Sequence, residues 1–68
     1  MSSVAKVVEI ICSSSKSFED AIQTGIARAD KTLDGVVGAW ISEQKVKVEG
    51  GKVVEYRVTL RVSFVLKG

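Results

Sequence analysis

Three residues in this chain have the chemistry to hold a flat, charged molecule: Trp40, Arg57 and Arg61. An indole offers a π-face on which another planar ring stacks, and a guanidinium presents a fork of N–H donors suited to phosphate or carboxylate. Residues 54–66 alternate apolar and polar side chains, which puts Arg57 and Arg61 on one face of a strand, about 13 Å apart at strand rise. The same alternation in residues 36–44 groups Gly38, Trp40, Ser42 and Gln44 on one face of another strand. The candidate ligand-binding set is therefore Trp40, Arg57, Gly38, Ser42, Gln44 and Arg61. Each key member has a plainer use as well. Trp40 can seal a contact between subunits, and the arginines can pair with Glu43, Glu55 or a neighbouring subunit.

Other chemistry is poorly supplied. The chain has no histidine, which removes the commonest general base and the commonest metal ligand, and its one cysteine, Cys12, rules out an internal disulfide framework. Cys12 reads as a small buried or rim hydrophobe, and the serines at 13–15 and 17 have no base beside them and read as a loop followed by a helix cap. The acidic residues show no EF-hand spacing. An enzyme is therefore not expected. The net charge of +2 comes from interspersed charges rather than a basic stripe, so nucleic-acid binding is not suggested. No apolar run approaches the roughly 18 residues of a membrane span, and the first residues lack the order of a signal peptide. The expected compartment is the cytoplasm, with no membrane partner.

With 68 residues the chain is expected to be a single domain, residues 1–68, and a domain this small buries only about 60% of the surface its unfolded form exposes. Self-association is expected on that ground alone. Residues 4–11 are rich in β-branched side chains and read as the first strand; residues 12–16 break the pattern. Ser17 and Asp20 have capping-box spacing, so a helix should begin at Phe18. Phe18, Ala21, Ile22, Gly25, Ile26, Ala29 and Leu33 form its apolar stripe. Gly25, in mid-stripe, points to a close approach of the helix to its partner surface, and Gly35 is the stop signal. Residues 36–49 form the second strand, in which the apolar phase switches to Val46 and Val48, as a β-bulge would produce. Gly50 and Gly51 make a hairpin turn into the third strand, whose face of Val54, Tyr56, Val58, Leu60, Val62, Phe64 and Leu66 is the most regular in the chain. The most apolar strand belongs in the centre, so the expected fold is α+β: a β-α-β-β unit with an antiparallel sheet in the order 1-3-2 and one helix over it. One helix covers one face. The other face, with Trp40 and the arginines, needs solvent, a partner or a ligand.

The stretches KVVEIICSSSKSFEDA, AIQTGIARADKTLDGV and VEYRVTLRVSFVL resemble the dodecins, small flavin-binding proteins of bacteria and archaea, and the resemblance runs over residues 6–66. It implies the same protomer assembled with copies of itself as a hollow homododecamer of cubic symmetry, helices outside and open sheet faces lining ligand sites toward the interior. Dodecins hold pairs of flavins between symmetry-related tryptophans and store or buffer flavin rather than transform it. Aligned on DGVVGAW, the position of the stacking tryptophan is Gly38, with Trp40 two residues later, on the same face and about 6.6 Å along the strand. By the Tyr56 alignment, Arg57 stands where the family has a glutamine that binds the ring edge; arginine donates only, whereas the amide donates and accepts. The resemblance thus implies a non-enzymatic homo-oligomer binding a flavin (riboflavin, FMN or FAD). The alternative is a shell of the same type that does not bind flavin and is structural, or holds another anionic ligand or ions.

Overall fold

The computed structural model describes residues 2–66. Its elements are β1 (Ala5–Ser14), α1 (Phe18–Thr32), β2 (Val36–Glu49) and β3 (Lys52–Val65). The three strands form one antiparallel sheet in the order β1-β3-β2, with β3 central, as its uninterrupted alternation predicts. Among the described residues no helix is long and apolar enough to cross a membrane.

The core is small. Val58, Leu60 and Val62 of β3 are fully buried beneath α1 and, with Cys12 and Ala21, form its centre; Val8, Ile10, Phe18, Ile22, Ile26 and Val36 pack around them. The helix lies over β1 and β3 and barely reaches β2, so the β2–β3 hairpin runs out beyond it and the protomer measures 54 × 19 × 13 Å. Val46, Val48 and Val53 on that hairpin are exposed, as are Val7 and Ile11 on β1. Apolar surface left bare on this scale is a standing drive toward association.

Local chemistry sets the ends of the elements. Ser17, in extended conformation, caps α1: its hydroxyl accepts from the Asp20 amide at 2.9 Å, and Glu19 and Asp20 occupy the positive end of the helix dipole. Ser14 completes the corner. Its hydroxyl donates to Asp20 Oδ2 at 2.7 Å and accepts from the Lys16 amide at 2.9 Å. Substituting Ser17→Ala removes the cap and is expected to cost about 1 kcal/mol, read as a lower melting temperature at fixed protein concentration. Gly50 and Gly51 both have positive φ, 59° and 76°, which is what a two-residue hairpin turn of the favoured twist demands.

Two expectations are corrected. β1 continues through Cys12, Ser13 and Ser14, which pair with Val58, Arg57 and Tyr56; an edge strand tolerates serines because one backbone edge and one face stay solvated. The β2–β3 ladder has three irregularities where one was expected, between Val36 and Gly38, Ile41 and Glu43, and Lys47 and Val48. The second is decisive. Ser42 is the extra residue there, without a partner opposite, and every later residue of β2 changes face. Gln44 consequently stands opposite Val58, on the helix side of the sheet, and not with Trp40.

Candidate functional site

The helix-free face of the sheet is built in rows across β1, β3 and β2. Val7, Ser63 and Gly38 make one row; Glu9, Arg61 and Trp40 the next; Ile11, Thr59 and Glu43 the third; Ser13, Arg57 and Lys45 the fourth. Each β3 member of these rows alternates with a core residue, so the burial of Val58, Leu60 and Val62 on one side fixes the direction of Arg57, Thr59 and Arg61 on the other.

Trp40 is 51% exposed, an unusual condition for the largest side chain in the protein. Its neighbour opposite is Arg61, not Arg57, and Arg61 reaches across to Glu9 of β1 at 3.4 Å. Beside them stands Gly38, opposite Ser63. The Ser63 hydroxyl donates to the Gly38 carbonyl at 3.2 Å, and a Cβ at position 38 would meet that same oxygen at 3.2 Å, close but displaceable. Trp40 therefore projects, half-exposed, beside Gly38 and the Ser63 hydroxyl.

Arg57 lies four residues from Arg61 along β3, about 13 Å away. Its guanidinium donates to Glu55 from Nε at 3.2 Å and from Nη2 at 3.3 Å, an in-strand pair. That guanidinium holds the Glu55 carboxyl below the usual carboxylate range, with Ser13 and Lys47 acting in the same direction against a partial loss of solvation. Lys45 pairs with Glu43 at 3.3 Å. These pairs are exposed, so they arrange charge more than they stabilise.

Of the six residues expected from sequence, Trp40, Gly38, Arg57 and Arg61 share the open face; Ser42 is a bulge residue and Gln44 is on the opposite side. Thr59 and Ser63 share the open face as the alternation of β3 implies, whereas sequence reasoning missed Glu9, Ser13 and Lys45. Glu9 and Ser13 are placed by the β1–β3 register and Lys45 by the position of the bulge at Ser42; the phase switch at Val46 and Val48 signals a bulge without fixing its position. Cys12 is buried against α1, and burial raises the pKa of its thiol, which keeps it protonated and inert. Among the described residues no three acidic or cysteine side chains converge as a metal site would require.

The sequence pattern of the family named Dodecin matches residues 4–67. Calcium dodecin of Mycobacterium tuberculosis is 35% identical over 96% of this chain and 92% of its own length. Dodecin of Thermus thermophilus is 37% identical over 98% of this chain and 97% of its own length. The crystal structure of an arginine-to-alanine variant of the Thermus thermophilus dodecin superposes with a TM-score of 0.93 at 36% identity, covering 98% of this chain and 100% of that one.

Proposed function

The chain belongs to the dodecin family, and from that premise we propose that it is the single-domain subunit of a non-enzymatic cytoplasmic homododecamer that binds and stores or buffers a flavin on the open face of its sheet. The observation that carries this reading is Trp40: a half-exposed indole, in the row beside Gly38 and opposite Arg61, on the face that no described element of its own chain covers. A planar ring stacked there buries apolar area on both partners, and close contact with indole quenches the ring's fluorescence. The ligand is riboflavin, FMN or FAD.

A second reading is favoured by two specific observations. Gly38 and Arg57 replace the residues through which the family resemblance would have flavin held, and one relative of this chain carries the name calcium dodecin. On that reading the same shell holds another anionic ligand or ions, or is structural. A cation would then be held by carboxylates from more than one copy, since the described residues of one chain bring no three together.

The test is a native mass of the purified protein followed by titration with riboflavin, FMN and FAD while flavin emission is followed. A mass near twelve times 7.3 kDa with strong quenching supports flavin storage. The same mass without quenching by any of the three favours the second reading. A monomer overturns both.

A further inference from the structure

Trp40 stands on the part of the sheet that the fold holds least firmly. β2 is an edge strand, bonded to β3 on one side, and α1 barely reaches it. Irregularities flank the indole: Val37 has no partner opposite, between Val36 and Gly38, and Ser42 has none between Ile41 and Glu43. A bulge interrupts the run of ladder hydrogen bonds, and Gly38 brings no side chain to hold the break together. Val37 is accordingly 68% exposed, and Trp40 half-exposed. Against this laxity stands a side chain of the central strand. Ser63, directly opposite Gly38, donates its hydroxyl to the Gly38 carbonyl at 3.2 Å, and a Cβ on Gly38 would meet the same oxygen at 3.2 Å. The hydroxyl thus bridges β3 and β2 between the first bulge and the tryptophan, over the glycine where a side chain would otherwise pack. Ser63 is itself well anchored, half-buried and next in the chain to the fully buried Val62.

We propose that Ser63 is a positioning residue: its bond to the Gly38 carbonyl holds β2 against β3 just beyond the bulge and so sets the direction in which Trp40 projects. The use of that direction rests on the reading that the indole carries the ligand. A planar ring that stacks on a side chain already held in place pays less ordering entropy than one that must first immobilise it. The hydroxyl therefore raises affinity without touching the ligand.

The chain has a single tryptophan, so the time-resolved anisotropy of its emission reports motion at position 40 with or without a ligand. The assembled protein is compared with Ser63→Ala and Ser63→Thr. Ser63→Ala is expected to add a fast nanosecond component to the decay and to weaken riboflavin binding about 2- to 10-fold, the range that one hydrogen bond supplies. Ser63→Thr keeps the hydroxyl on a side chain suited to strands and restores both. A merely structural role would lower the melting temperature of Ser63→Ala and leave the anisotropy of its folded form as it was. An unchanged decay in Ser63→Ala, a fast component that persists in Ser63→Thr, or a riboflavin affinity unmoved by a loosened indole overturns the positioning role. If the indole loosens but riboflavin is not quenched even by the unaltered protein, the flavin reading falls and the clamp on Trp40 stands.

Discussion

Placing a single methyl group at position 25 is expected to destabilise this protein by about 1–3 kcal/mol, although alanine is the better helix former by about 1 kcal/mol. A Cβ built on Gly25 collides with the Cys12 sulfur and comes within 3.1 Å of the Cys12 Cβ. The Cys12 Cβ is fixed to its strand, and only the sulfur can turn aside. Cys12 is buried, stands opposite the fully buried Val58, and belongs to the core that α1 covers. Either the sulfur leaves its rotamer or the helix lifts from β1, and lifting loosens the contacts of Ile22 and Ile26 on either side of the glycine. The measurement is the melting temperature of Gly25→Ala at a fixed protomer concentration, since stability and assembly are linked. Cys12→Ala, introduced second, removes the sulfur, and the double variant should recover part of the loss. A Gly25→Ala protein as stable as the parent would show that helix and strand do not approach as described.

Trp40→Ala should weaken flavin binding by roughly 5- to 150-fold, the range that corresponds to ~1–3 kcal/mol for stacking of a planar ring on an aromatic side chain. The native mass is the control. Trp40 lies on the open face and outside the core, so its removal costs the fold little; a fall in affinity at unchanged mass assigns the indole to the ligand. A smaller assembly with no altered affinity per subunit would instead make Trp40 a seal between copies. Unchanged flavin binding at unchanged mass removes it from the site altogether.

Most of the architecture was legible because β3 is written so regularly. Seven apolar residues at every second position identify a strand with one buried face, and the most apolar strand goes to the middle; Val58, Leu60 and Val62 are indeed the fully buried side chains. Gly25 was legible for a different reason. Glycine in the apolar stripe of a helix is costly unless a neighbour needs the space, and the Cys12 sulfur is that neighbour. The candidate site was less readable, because faces in a sheet depend on counting, and one uncounted residue inverts everything after it. The switch of apolar phase to Val46 and Val48 announced a bulge, but nothing in the sequence placed it at Ser42. Its presence sends Gln44 to the helix side and brings Lys45 opposite Arg57. The partner of Arg61 was equally hidden, since Glu9 lies far away in sequence and only the β1–β3 register brings it to 3.4 Å.

The strand order also governs how the protein can be made. Among the described residues β1 and β2 are not hydrogen-bonded neighbours; both bond to β3, which follows them in the chain. Until it emerges, β1 has no sheet to join and the apolar stripe of α1 has no floor. Ala5 then pairs with Val65 and Ser14 with Tyr56, contacts between distant parts of the chain that make closure slow relative to local structure. The β2–β3 hairpin, closed by its two-glycine turn, can form first and present the strand onto which β1 docks. Completion of the fold thus waits on β3, although β1 and α1 precede it in the chain.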